Sequence, residues 1–231
     1  EKPMPKLKKT KRLTMTGPKP ASGATPPVPV RKTAPEKRVV SVVERAPAAT
    51  SRKFRNTQAQ ISGDSTSLRI RHREYFMAVN GTTTLTIGTV NLNPGLVACF
   101  PWLCGLATRY EMYRFLRFRV IYEPACASTA TGSLFLGYDY DVNDDDPTTI
   151  RHLLEMPGAV RCGAWQSVST DLDCRRVQEF AKSHFIRSGT PAATTDLKTM
   201  DAAKLIYATN GQADTSQIGY LWLEYDVELK T

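Results

Sequence analysis

The chain has 231 residues, a formal net charge of +9, five cysteines and only three histidines. Its longest nearly apolar run, residues 96–107, is too short to cross a bilayer, because a membrane-spanning helix needs about 20 apolar residues. The odd number of cysteines and the lack of a CxxC pair argue against a disulfide framework. The histidines are scattered and no GxxxxGK[ST] or HExxH motif occurs, so we do not expect an enzyme.

The charge is divided sharply between two parts of the chain. Residues 1–60 hold 15 Lys and Arg against three Asp and Glu, whereas the remainder holds 16 basic against 19 acidic residues. The first part also contains nine of the 15 prolines. Such a composition cannot bury enough apolar surface to offset the entropy lost on ordering. We therefore predict a disordered, basic, proline-rich arm over residues 1–63, followed by a folded domain over residues 64–231.

Two roles are compatible with such an arm. It is either a solubilising tail or localisation segment, or a polyelectrolyte that neutralises nucleic-acid phosphates without reading base sequence. Counterion release makes the second kind of binding strong at low salt and steeply salt-dependent. The clustering of the charges favours the second role. The residues expected to contact nucleic acid are Lys6, Lys8, Lys9, Lys11, Arg12, Lys19, Arg31, Lys32, Lys37, Arg38, Arg52, Lys53 and Arg55.

The folded domain begins with a predicted strand over residues 67–79. Apolar residues such as Ile70 alternate there with Arg69, Arg71 and Arg73, which is the period-2 pattern of a strand with one buried face. Further strands are predicted at residues 82–92, 113–124, 131–141, 159–169, 177–187, 203–210 and 218–229.

Two short helices are also predicted. Residues 103–110 carry apolar side chains at helical spacing, and residues 148–155 form a helix that Thr148 or Thr149 caps. Strands and helices do not alternate as in βαβ units. About eight strands and two short helices therefore predict an all-β fold, an eight-stranded jelly-roll sandwich, with a sandwich of another topology as the alternative.

Five aspartates lie close together between residues 139 and 146. Asp139 and Asp141 are two apart on a predicted strand, so their side chains point to the same face, and Asp144 follows across a turn. Hard carboxylate oxygens without His or Cys nearby favour Ca²⁺ over a transition metal. The spacing excludes an EF-hand, because position 6 from Asp139 is not Gly and position 12 is Ile150. The alternative is an acidic turn that only faces solvent.

The order of motifs in residues 100–147 resembles the shell domain of coat proteins from small icosahedral plant RNA viruses, the tombusvirus and sobemovirus-like group. An F-x-W-L segment, a Tyr-x-x-Tyr, a strand ending in Tyr-x-Pro and a D-x-D-x-x-D sequence follow one another there, and weaker similarity extends over residues 65–230. The matching residues are Phe100, Trp102, Leu103, Tyr110, Tyr113, Tyr122, Pro124, Gly132, Asp139, Asp141 and Asp144.

This resemblance implies a capsid protein of the virion, made in the host cytoplasm, whose jelly-roll subunits assemble with one another into an icosahedral T=3 shell of about 180 copies. It places the arm inside the shell against single-stranded RNA. It also implies calcium at subunit contacts, held by Asp139, Asp141 and Asp144, and a neighbour's ligands are guessed as Asp196 or Asp201. A protruding domain is common in relatives, but this sequence stops at "VELKT", which leaves a smooth capsid or a truncated chain.

Two functions are therefore compatible with the sequence. The first is a self-assembling viral coat subunit that packages RNA. The alternative is a non-assembling nucleic-acid-binding β-sandwich with a basic tail. The acidic residues discriminate between them, because the first function places them at a contact between subunits and the second does not.

Overall fold

A computed structural model describes residues 58–64, 66–192 and 194–231. The strands of this part are β1 Gln60–Gly63, β2 Ser67–Asn80, β3 Thr86–Asn91, β4 Met112–Pro124, β5 Ser133–Asp139, β6 Val160–Gly163, β7 Val168–Asp171, β8 His184–Phe185, β9 Lys204–Asn210 and β10 Gln217–Lys230. Its helices are α1 Cys104–Ala107, α2 Ile150–Glu155, α3 Cys174–Phe180 and the 3₁₀ helix η1 Leu197–Thr199. All the arm residues expected to contact nucleic acid lie outside the described residues.

The strands form two antiparallel sheets. Sheet A has the order β1-β2-β10-β4-β7, with β8 paired to β4, and sheet B has the order β3-β9-β5-β6. The chain passes between the sheets at β2/β3, β3/β4, β4/β5, β6/β7, β8/β9 and β9/β10, which is the path of a jelly roll. The predicted jelly roll is therefore confirmed, with ten strands in the described residues where eight were expected. Strand β1 adds an edge to sheet A and begins before the predicted domain boundary at residue 64.

The core lies between the two sheets and follows from the period of two in the long strands. In β4, Phe118, Val120 and Tyr122 are fully buried, while Arg117 and Arg119 lie on the opposite face. In β10, alternate residues from Leu221 to Leu229 are buried against them. Because successive side chains of a strand point to opposite faces, one apolar residue in two is enough to cover the inner face of a sheet.

Two predicted strands were wrong in extent or type. The predicted strand at residues 177–187 is instead helix α3 followed by the two-residue strand β8. Helix α3 begins because Asp173 caps it, accepting from the backbone N–H groups of Arg175 and Arg176. The predicted strand at residues 159–169 is two strands, β6 and β7, which lie in different sheets.

The helices agree with the sequence in position but not in number. Thr149 caps α2 as predicted, because its hydroxyl accepts from the backbone N–H of His152 at 3.3 Å. Helix α1 is a single turn within the predicted 103–110 segment. With α3, the described residues hold three α-helices where two were expected.

A buried polar network fixes the loops next to β3 and β9. The Asp201 carboxylate is fully buried and accepts two hydrogen bonds from Arg187, at 2.8 and 2.7 Å. It also accepts from the side-chain amides of Asn91 and Asn93. Since a buried charge is tolerated only when it is paired and hydrogen-bonded, these four residues fold as one unit.

We predict that Asp201→Ala destabilises the subunit by about 3–5 kcal/mol, because it leaves the guanidinium of Arg187 buried without its carboxylate. Asp171→Ala is the matched control. Asp171 pairs with Arg119 at 2.7 Å but is half exposed, so its removal is expected to cost less than about 1 kcal/mol. Urea unfolding of the dissociated subunit, followed by tryptophan fluorescence, measures both values. Equal losses for the two variants would contradict this account.

Candidate functional site

The aspartate loop, residues 139–146, leaves the end of β5 in sheet B. Its backbone is held by the aspartates themselves. Asp139 accepts from the backbone N–H of Asp141 at 2.9 Å, and Asp141 accepts from that of Asn143 at 3.1 Å. The loop therefore turns back on itself through two successive side-chain turns, the local role for which Asp is favoured.

Two lysines of the same chain lie among these carboxylates. Lys204, at the start of β9, is buried. Its Nζ donates to Asp146 Oδ1 at 2.8 Å and to the carbonyl oxygen of Asp144. The same Nζ lies 3.9 Å from Asp139 Oδ2. Lys198, in η1, donates to Asp141 Oδ2 at 2.6 Å. The repulsion between the aspartates is thus relieved by ammonium groups within one subunit.

The lysines also set the ionisation of the loop. Burial raises the pKa of Asp139 above its ordinary value. The hydrogen bond from Lys198 lowers the pKa of Asp141, and the hydrogen bond from Lys204 lowers the pKa of Asp146. Asp141 and Asp146 are accordingly held as carboxylates.

The structure brings four of the five predicted metal ligands to the aspartate loop. Asp139, Asp141 and Asp144 belong to the loop, and Asp196 joins it because its Oδ1 accepts from Asn143 Nδ2 at 2.9 Å. Asp201 does not join them. Asp196 and Asp201 were guessed as a neighbour's ligands; Asp196 lies instead beside the loop of its own chain, and the Asp201 carboxylate is buried with both oxygens bonded to Arg187.

The residues present fit calcium only in part. Among the described residues, no group of three or more His, Cys, Asp or Glu side chains is placed to hold a metal ion. Carboxylate oxygens are the ligands that Ca²⁺ prefers, but Lys198 and Lys204 already contact three of these aspartates. Six aspartates, Asp196 included, and two lysines leave this surface at −4, with the charge concentrated at its exposed edge. A calcium site here requires carboxylates from a second subunit.

Sequence analysis missed both lysines. Asp139 and Lys204 are directly opposite one another in the β5–β9 pairing, yet 65 positions separate them in the chain. The one feature in the sequence that pointed to Lys204 is its place at the start of an apolar strand, "KLIYATN", where a charged residue needs a partner.

The strand order and the acidic loop define a jelly-roll subunit, and comparisons with known proteins identify its family. The family model described as viral coat protein (S domain) matches residues 41–231. The chain belongs to this family, so the predicted resemblance to tombusvirus-like coat proteins is confirmed. With it, the expectation of a structural subunit instead of an enzyme is also confirmed.

In the described residues, no helix is long and apolar enough to span a membrane.

Relatives and solved structures of plant viruses agree with the family. The capsid protein of Melon necrotic spot virus is 30% identical over 192 residues, 80% of this chain and 47% of the relative. That of Pothos latent virus is 28% identical over 190 residues, 80% of this chain and 49% of the relative. The chain thus spans about half the length of the curated relatives it matches.

Two solved structures support the fold. The X-ray structure of Melon necrotic spot virus has a TM-score of 0.71 at 26% identity and covers 86% of this chain and 60% of that one. The structure of tobacco necrosis virus has a TM-score of 0.70 at 20% identity, with 81% and 93% covered. At that identity, the second match supports the fold alone.

We predict that Lys204→Met destabilises the subunit more than Lys198→Met does, although both remove one ammonium from the same loop. Lys204 is buried, so its loss leaves Asp139 and Asp146 uncompensated and is expected to cost about 2 kcal/mol, below the value for a fully buried pair because Asp146 is half exposed. Lys198 is one-third exposed, and its loss is expected to cost less than about 1 kcal/mol. Urea unfolding of the two variants tests this order, and a larger loss in Lys198→Met would reverse it.

Proposed function

We propose that this chain is a capsid subunit that assembles with copies of itself into an icosahedral shell and encloses single-stranded RNA. The observation that carries the proposal is the jelly-roll strand order over the same residues that the coat-protein family model matches. The capsid-protein names of the relatives support assembly as the role of such a subunit.

The basic arm is the part of the chain suited to RNA. Residues 1–60 carry a net charge of +12, whereas the rest of the chain carries −3. Over a T=3 shell the arms would supply roughly 2,000 positive charges, enough to neutralise much of an RNA of a few thousand nucleotides. Binding of this kind requires charge and length and does not require a base-reading surface.

Calcium is proposed for the exposed edge of the aspartate loop, between two subunits. Asp141, Asp144 and Asp196 would hold the ion from one side, with Asp139 behind them, and a neighbour would complete the ligand set. The ion would supply positive charge between carboxylates that otherwise repel across the contact. Asp141 would then exchange its bond to Lys198 for the ion, which the one-third exposure of that lysine permits.

Sedimentation velocity of the purified full chain, with the nucleic acid that purifies with it, tests the function. We expect fast particles that contain RNA and that slow or dissociate when the salt concentration is raised, because the arm–RNA attraction is screened. A monomer or dimer under every condition would overturn the capsid proposal and favour the non-assembling nucleic-acid-binding protein.

The calcium proposal is tested separately, by calorimetric titration of CaCl₂ into particles. We expect Lys198→Met to bind Ca²⁺ several-fold more tightly than the unmodified chain, because it removes the cation that competes for Asp141. Asp141→Asn, the matched loss of the ligand, is expected to weaken binding. Particles of the unmodified chain and of Lys198→Met that both take up no calcium would end the metal proposal and leave the shell proposal intact.

A further inference from the structure

The outer face of sheet A, the side turned away from the core, carries a lattice of charged side chains. Arginines of β2 and of β4 flank a central column of carboxylates on β10. We call this surface the arginine face. It consists of Arg69, Arg71, Arg73, Arg114, Arg117, Arg119, Lys230, Glu123, Asp171, Glu224, Asp226 and Glu228.

The carboxylates of this face are shared between cations. Asp226 accepts from Arg69 at 2.7 Å and from Arg71 at 2.8 Å. Asp171 likewise lies 2.7 Å from Arg119 and 4.0 Å from Arg117. Arg69 and Arg119 each hold their carboxylate through two hydrogen bonds, and Arg71 and Arg117 are the second cations beside those carboxylates.

The arginine face therefore has an excess of positive charge. Its ion pairs join seven basic side chains to five acidic ones, although the body beyond residue 60 is net acidic. The three most exposed basic side chains are Arg71, Arg117 and Arg69, at 61%, 52% and 50%. Because these guanidinium groups are at least half exposed, an added anion can bind them from the solvent side while Asp226, only 6% exposed, stays paired beneath Arg69 and Arg71.

Phosphate is an anion that matches these groups. The planar guanidinium presents a fork of N–H donors that fits phosphate in a bidentate manner. Arg69, Arg71 and Arg73 alternate along one strand, so their side chains follow one another at about 7 Å on the same face. A row of guanidinium groups at regular spacing is suited to the backbone of an extended polyanion.

An aromatic pair lies at the end of this row. Tyr75 is 44% exposed and contacts Trp222 edge to face at a centroid distance of 5.6 Å. The guanidinium of Arg73 lies 5.2 Å from the centroid of the same tryptophan ring. Exposed aromatic side chains beside arginines are the combination on which unpaired bases stack. This favours a single strand over a duplex.

The part of the chain that follows the basic arm in the sequence begins at this face. The last basic residues of the arm, Arg52 to Arg55, precede β1 by five positions. Strand β1 pairs with β2, where Gln60 is opposite Arg71 and Ser62 is opposite Arg69. Strand β1, the first strand of the described residues, thus lies at the edge of the arginine face.

We propose that the arginine face of sheet A is a second RNA-binding surface, which contacts the phosphates of single-stranded RNA that the arm recruits. This inference rests on the proposed RNA packaging and adds the body of the subunit to it. Pairing of the face with the same face of a second copy is disfavoured, because two surfaces with excess positive charge repel each other.

The experiment compares charge-removing variants of the full chain. Arg71→Gln/Arg117→Gln removes two exposed guanidinium groups from the face. We expect this variant to fold, because Asp226 still pairs with Arg69 and Asp171 still pairs with Arg119. Binding of a short fluorescein-labelled oligo(U) to the dissociated protein is followed by anisotropy as a function of salt.

We expect the variant to lose about 1.4 from the magnitude of the log–log salt slope, so that its affinity falls about sevenfold less between 50 and 200 mM salt than that of the unmodified chain. Arg71→Lys/Arg117→Lys keeps the charge and is expected to retain most of the slope.

Two controls separate the face from the arm. Arg151→Gln/Arg161→Gln removes the same charge from exposed arginines of α2 and of β6 in sheet B, and is expected to leave the slope unchanged. Lys8→Gln/Lys9→Gln removes two charges from the arm and is expected to lower the slope.

Equal slopes for the face variant and for the sheet B control would overturn the inference, whereas the arm variant would still report on RNA binding itself. Loss of self-association without a change in oligo(U) affinity would also overturn it and would assign the face to a contact between subunits. No RNA binding by the unmodified chain would defeat the packaging proposal as well.

Discussion

The structure depends on strand β10, which pairs along its whole length with β2 on one side and with β4 on the other. Successive side chains of β10 point alternately to the two faces of sheet A, so this strand contributes to the core and to the outer face. Residues such as Leu223 and Val227 point into the core, while Glu224, Asp226 and Glu228 point outward between two columns of arginine. Because β10 lies at the carboxyl end of the described domain, sheet A is complete only when all of this domain has been made. The many pairings between distant residues are typical of slowly folding all-β proteins.

The sequence predicted those features that depend on neighbours along the chain. The period of two in residues 67–79 and the cap at Thr149 are local, so both were found. The assignment of residues 177–187 as a strand failed because the capping role of Asp173 outweighed a β-branched, aromatic composition. Leu116 continues the apolar alternation of Phe118 and Val120 in the sequence, but a bulge in the β4–β10 pairing moves it out of the inward-facing positions.

In the candidate sites too, only the features that are local in the sequence were predicted. The aspartates were visible because they are adjacent in sequence, but the lysines that neutralise them were not, since β9 and η1 are distant in the chain. The contact between Trp222 and an arginine was not visible in the sequence either. Arg73 reaches Trp222 only through the pairing of β2 with β10, and no window of the sequence contains both residues. Charge relations across strands require the register of the sheet, which composition and periodicity do not contain.

A lysine held by hydrogen bonds and a bound cation solve the same electrostatic problem in different ways. A lysine is part of the chain, so the stabilisation that it gives to a carboxylate does not depend on ion concentration, whereas a shared ion makes a contact conditional on its supply. In the aspartate loop, a buried lysine lies on the inner side and the proposed position for an ion lies on the outer side. Lys204 is buried beneath the loop and holds it to β9, and the remaining negative charge lies at the exposed edge, where Lys198 is the accessible cation. The inner half of the loop is therefore held within the chain by Lys204, and the outer half is where the proposed replacement of Lys198 by an ion would take place.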